Sequence, residues 1–148
     1  MLEKGKLLSF LVLLVVFAVV ISVTTTVHAS RTIKVTVNHH SYQAELADNT
    51  SARAFRHRLE KEPVVVNAHG YGEMEKVGRL PWSLPQSNRQ IRTKPGQIIL
   101  YQGRELSLYY RPSSWSLTPI AQIQHVNTRQ LKKDLGSGKV QIKYALRK

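Results

Sequence analysis

The sequence predicts a mainly β protein: a small β-barrel of seven or eight short strands, about eight in all, with two short helices, preceded by an N-terminal hydrophobic helix. Three observations carry this reading. Short segments with period-two alternation recur along the chain, separated by turn residues. Two segments follow helical spacing instead, and each has a capping residue in front of it. The first 29 residues differ in composition from all that follows.

That leading segment has Lys4 and Lys6 at its start, with Glu3 the one acid. Leu7–Val23 is then apolar except for Ser9 and Ser22. Thr24-Thr25-Thr26 and Val27-His28-Ala29 follow. A basic start, an apolar core and small residues at a cut site are the parts of a secretory signal, with cleavage after Ala29 leaving Ser30 first. The competing reading is a membrane anchor through residues 7–23. No charge appears from Leu7 to Ser30, a length of about 36 Å as a helix against roughly 30 Å of hydrocarbon. Either way, residues 30–148 form one domain outside the cytoplasm, secreted or held at the membrane by the N-terminal segment. With no cysteine in the chain, lipoprotein processing is excluded.

The elements of that domain follow in order. Thr32–Val37 alternates, with Ile33, Val35 and Val37 on one face. Asn38–Ser41 is a turn, and Tyr42–Leu46 completes a hairpin. Asp48-Asn49-Thr50 caps a helix whose Ala52, Phe55 and Leu59 face the core, while Arg53, Arg56, His57 and Glu60 fall mostly on the wet side. Glu62-Pro63 ends it. Val64–Val66 is a short strand. Residues 67–97 show no period, so they read as a long loop that is either functional or hides short elements. Gln97–Tyr101, a turn at Gln102-Gly103 and Glu105–Tyr110 make another strand pair. Tyr109 and Tyr110 face opposite ways there, one to the core and one to solvent. Ser116–Ile123 is a strand weakened by Pro119. Asn127–Leu135 is a helix capped by Asn127 or Thr128 and stopped by Gly136. Lys139–Leu146 is the last strand, with Val140, Ile142, Tyr144 and Leu146 inward.

Composition narrows the chemistry. The chain has 148 residues, no cysteine and a net charge of +13. The absence of cysteine excludes a disulfide scaffold, a thiolate zinc site, an iron–sulfur cluster and a cysteine nucleophile. Without residues 1–29, 20 basic and 8 acidic side chains remain, a net charge of +12.

Leu46-Ala47-Asp48-Asn49-Thr50-Ser51-Ala52, Gly78-Arg79-Leu80-Pro81, Leu84-Pro85, Pro95-Gly96, Leu100-Tyr101 and Leu135-Gly136-Ser137-Gly138 occur in that order. This series resembles a bacterial cyclophilin-like fold family of small β-barrel domains, over residues 31–146. The resemblance implies a closed, mainly antiparallel barrel with short helices at its ends. Cyclophilin isomerases carry a Phe-His-Arg segment running into a strand. This chain has Phe55-Arg56-His57-Arg58, with Phe55 on the apolar stripe of a helix. Gln102-Gly103, similar to a Gln-Gly of those enzymes, sits at a turn. No isomerase residue is carried over, since fold alone does not license function.

Catalytic and metal constellations are not evident. His39-His40 and the other histidines read as solvated loop residues, and no spacing suits a metal site. There is no nucleophile elbow and no phosphate loop. Glu73 and Glu75 suit one strand face or a solvated loop. No cofactor is expected. Two candidate binding regions remain. The first is the loop Gly78–Gly96, where Arg79, Trp82, Arg89, Arg92 and Lys94 could grip an anionic or carbohydrate-like ligand. Its competing reading has Trp82 and Leu84 plugging a barrel end. Tyr109, Tyr110 and Trp115 carry the same two readings. The second is the C-terminal region. Arg129–Lys148 holds seven basic residues and one acid, Asp134. Lys139, Lys143 and Arg147 share one strand face about 14 Å apart, helped by Lys132 and Lys133. That spacing suits an extended polyanion, and the competing reading is a solvated edge strand.

The function expected is thus an exported or membrane-tethered module without a recognisable catalytic site, binding an anionic ligand or surface such as anionic lipid or a cell-wall polymer. Export disfavours nucleic acid as the partner. The alternatives are a diverged peptidyl-prolyl isomerase or a hydrolase using the barrel pocket, and a structural module whose charge serves solubility.

Overall fold

The computed structural model describes residues 30–147. The expected cleavage at Ala29 and the hydrophobic helix over 7–23 lie outside those residues. The transmembrane helix expected from the sequence is corrected here. No helix among the described residues is long and apolar enough to cross a membrane. The longer of the two has 12 residues, a length of about 18 Å against roughly 30 Å of hydrocarbon.

Among the described residues, nine strands and two helices follow one another as β1 (Thr32–Val37), β2 (His40–Leu46), α1 (Thr50–Lys61), β3 (Val64–Tyr71), β4 (Glu75–Arg79), β5 (Arg89–Arg92), β6 (Gln97–Tyr101), β7 (Glu105–Tyr109), β8 (Ser114–Ile123), α2 (Thr128–Leu135) and β9 (Val140–Leu146). Strand order is β2-β1-β9-β3-β4-β7-β6-β8-β5, and β2 also pairs with β8. That last pairing, Ala44↔Ile123 to Leu46↔Ala121, closes an eight-stranded antiparallel barrel. β5 stands outside the wall, against the first half of β8.

Alternation fills the interior. Ile33, Val35 and Val37 of β1, Val64, Val66 and Ala68 of β3, and Val140, Ile142 and Tyr144 of β9 are all buried in one cluster. Helix α1 closes one end. The Asn49 side chain accepts the Ala52 N–H at 2.8 Å, which caps the first turn. Ala52, Phe55 and Leu59 then face inward. Phe55 is fully buried and meets the Tyr144 ring edge-on at 5.8 Å between centroids. Helix α2 is capped by Asn127, whose side chain accepts the Gln130 N–H at 3.0 Å, and ends at Gly136 with φ 65°. Leu131 and Leu135 dock it on the barrel.

The structure resolves the long irregular stretch into strands. β3 continues to Tyr71, and β4 and β5 lie within residues 67–97. β4 escapes a period-two reading because Glu75 and Lys76, adjacent and both charged, are both buried, on opposite faces. β8 begins at Ser114, two residues before the predicted start. Its Pro119 sits where the register with β6 shifts between Ile98 and Ile99, a bulge that spares the ladder a missing N–H. Outside the wall, Ile99, Tyr109 and Leu117 form a second small cluster with Met74 and Ile91. Both tyrosines of the Tyr109–Tyr110 pair are therefore largely covered. Tyr109 packs in this outer cluster and Tyr110 against the main core, whereas the sequence predicts one of them in solvent.

Candidate functional site: a cationic face along strand β9

β9 is flanked by β1 on one side and β3 on the other. Its inward residues are Val140, Ile142 and Tyr144, so alternation turns Gln141 and Lys143 to solvent. Lys143 lies between Thr36 of β1 and Val65 of β3. Lys34 is opposite Ala145, which makes it a diagonal neighbour of Lys143 on the same face. Lys139 precedes the strand and Arg147 follows it, both exposed. The Arg147 guanidinium donates to Gln43 Oε1 at 3.1 Å. No carboxylate occurs anywhere in β1, β3 or β9. The nearest strands with one are β2, where Glu45 pairs with Arg31 at 3.9 Å, and β4, where Glu75 is buried. None of Lys34, Lys139, Lys143 and Arg147 takes part in the ion pairs found among the described residues. Paired on both sides, β9 is no edge, so its lysines do not guard one.

At one end of this face a trough of about 530 Å³ is lined by Asn67, Ala68, His69, Lys139, Val140 and Gln141. The Gln141 amide donates to Asn67 Oδ1 at 3.0 Å and holds its floor. The lining combines one ammonium, one imidazole and two amides, with no arginine and no Phe, Tyr or Trp ring.

Lys132 and Lys133 project from α2 into solvent, while Asp134, the next residue, is buried with 5% exposure. Its carboxylate accepts from Tyr42 OH, from Gln130 Nε2 at 2.9 Å and faces His40 Nδ1 at 2.7 Å. Its backbone carbonyl accepts from Asn38 Nδ2 at 2.6 Å. Burial alone pushes this carboxyl up. The hydrogen bonds from Tyr42, Gln130 and His40 outweigh that and hold it below the ordinary aspartate range. The one acid of the C-terminal region is thus sequestered between α2 and the β1–β2 hairpin. Sequence reasoning leaves His40 as a solvated turn residue, because its partner comes from the far end of the chain.

The loop candidates are not gathered into one grip. Trp82 belongs to the α1 plug, with its ring 6.1 Å from Phe55 and the Arg58 guanidinium 5.3 Å from its centre. Leu84 is buried in the core beside it. Arg79 ends β4, opposite Glu105 of β7. Arg89 and Arg92 sit on β5, and Lys94 is exposed just beyond. Ser30 is exposed, and its carbonyl accepts from Arg56 Nε at 3.2 Å.

Glu75, Tyr109 and Lys76 are ionisable groups buried off the cationic face itself. Glu75 sits opposite Tyr109 across β4 and β7, and accepts from Ser107 Oγ at 3.3 Å. Burial pushes its carboxyl up, against the pull of hydrogen bonds from Tyr109 and Ser107. The same burial, together with Glu75, raises the Tyr109 phenol. Lys76 points inward and donates to the Gly138 carbonyl at 2.5 Å. Among the described residues no three His, Asp or Glu side chains gather as a metal would need. The segment Phe55-Arg56-His57-Arg58 lies on α1, with Phe55 in the core, Arg56 paired to Glu60 and His57 in solvent. Residues 35–144, from within β1 to within β9, match the model of a family described as the Cyclophilin-like family. No curated protein shows a significant match to the chain.

Proposed function

The chain belongs to the cyclophilin-like family, and on that premise we propose that it is a non-catalytic binding module, exported from the cytoplasm, that engages an anionic polymer or surface through the outer face of β9. One observation carries this reading: three adjacent strands without a carboxylate, β1, β9 and β3, bear Lys34 and Lys143 on their outer face, with Lys139 and Arg147 at the two ends of β9. Lys139 to Arg147 covers about 27 Å along the strand direction, which suits repeated phosphate or carboxylate groups better than one small ligand. The trough beside Lys139, with His69, Asn67 and Gln141, offers hydrogen bonds for the sugar or glycerol parts of such a polymer. Lys132 and Lys133 extend the cationic area from α2.

The experiment is co-sedimentation of residues 30–148 with anionic vesicles and, separately, with an anionic cell-wall polymer. Near an anionic leaflet each basic residue contributes about 1 kcal/mol. Replacing Lys139, Lys143 and Arg147 by Gln should therefore weaken binding by up to about 3 kcal/mol, roughly a hundredfold. Binding should also fall steeply between low and physiological salt. Equal binding by parent and triple variant, or indifference to salt, would remove the proposal.

A further inference from the structure

β5 is unlike the other strands. Each of the eight wall strands is paired on both sides, whereas β5 pairs with Ser114–Leu117 of β8 and with no other strand among the described residues. Its outer edge is open. An open edge presents backbone N–H and C=O groups that lack partners, a template for one more strand.

The edge is also held ready. The Ser87 N–H donates to Thr118 Oγ1 at 2.9 Å, and Thr118 Oγ1 donates to Asn88 Oδ1 at 2.7 Å. At the other end the Thr93 N–H donates to the Ser113 carbonyl at 2.7 Å, and the Ser113 N–H returns to Thr93 Oγ1 at 2.8 Å. Ile91 anchors one face of the strand on the outer cluster of Ile99, Tyr109 and Leu117. An extended backbone fixed in advance spares a partner much of the ordering cost of pairing with it.

Charge selects the partner. From Lys76 to Arg104 the chain has six basic residues and no acid. Arg89, Arg92 and Lys94 are exposed and in none of the ion pairs among the described residues. A second copy of this chain is the wrong occupant, because two β5 edges would set arginines against arginines.

We propose that the open edge of β5 takes an extended acidic peptide segment as an added strand, with carboxylates meeting Arg89 on one face and Arg92, with Lys94 just beyond it, on the other. Main-chain hydrogen bonds hold such a segment, and the guanidinium pairs choose it over neutral or basic ones. This site is separate from the β9 face.

The test uses a ten-residue peptide of paired Glu and paired Thr residues, which sets carboxylates on both faces of a strand, and the same peptide methylated on every backbone nitrogen. Both carry the same charge, but only the first can donate to a strand. Binding is measured by fluorescence anisotropy, with amide hydrogen exchange read residue by residue. The unmethylated peptide should bind at least tenfold more tightly and slow exchange at Arg89–Arg92. The exposed double variant R89Q/R92Q should keep the parent melting temperature and lose about tenfold in affinity. K139Q/K143Q/R147Q should bind the peptide as the parent does. Equal binding of both peptides, no binding of either, or a loss confined to the β9 variant would each overturn the proposal. The last two results would leave the anionic-surface reading to its own vesicle and polymer tests.

Discussion

His40 Nδ1 lies 2.7 Å from a carboxylate oxygen of Asp134, a residue 94 positions later, and the contact ties the β1–β2 hairpin to α2. Asp134→Ala strips the acceptor from Tyr42, Gln130 and His40 at once. The expected loss is about 2–4 kcal/mol by urea unfolding at pH 7, since buried polar partners left unmade are costly. The folded aspartate is held below its ordinary value. Its contribution is therefore present above an unfolded pKa of roughly 3.9 and lost as pH falls through the folded value. Parent and variant should converge in stability as the buffer is taken well below pH 4.

Glu75 works in the opposite direction. Its folded carboxyl is raised by burial, so the folded state holds the proton more tightly than the unfolded chain does. Stability is thus lost as pH rises from the unfolded value, roughly 4.3, through the folded one. Glu75→Gln keeps an oxygen for Ser107 and removes the buried charge. The variant should melt at a higher temperature than the parent at pH 7, and at the same temperature below about pH 4.

Gly78 is fixed by space. A Cβ there would collide with the carbonyl oxygen of Asn67 and the side chain of Val66, where β4 runs beside β3 just past their paired residues. Backbone cannot yield as a side-chain tip can. Gly78→Ala should cost about 1–3 kcal/mol by chemical denaturation, the usual range for overpacking. Gly138→Ala, with open space around its Cβ, serves as the neutral comparison.

X-Pro isomerisation should proceed at its uncatalysed rate in the presence of this protein. Phe55 and Arg58 are spent on packing Trp82, so the segment nearest in composition to the isomerase pattern does not face a proline-sized slot. The slow uncatalysed reaction, tens to hundreds of seconds at 25 °C, makes the assay direct. A robust acceleration abolished by one arginine substitution would reverse this conclusion.

The barrel is legible where one face of a strand is apolar. β1, β2, β6, β7 and β9 alternate or run apolar, and both helices announce themselves through Asn49 and Asn127 and their apolar stripes. β5 has one apolar residue in Arg-Gln-Ile-Arg, and periodicity has nothing to read in it. β4 hides a carboxyl and an ammonium in successive buried positions, which its tertiary partners satisfy and its own sequence does not. The spacing of Lys139, Lys143 and Arg147 is visible in the chain. That acid-free β1 and β3 flank them is a matter of strand order, which pairs residues far apart in sequence.

The first and last strands in chain order are neighbours, with Ile33 opposite Leu146. A polypeptide delivered amino-end first therefore holds β1 and β3 apart, waiting, until the final strand arrives between them. Such late, non-local closure makes for slow folding, and the unsealed edges are adhesive in the interval. The lysine at the centre of β9 comes in with the stave that seals the cask, so its cationic face comes into being only as the wall is completed.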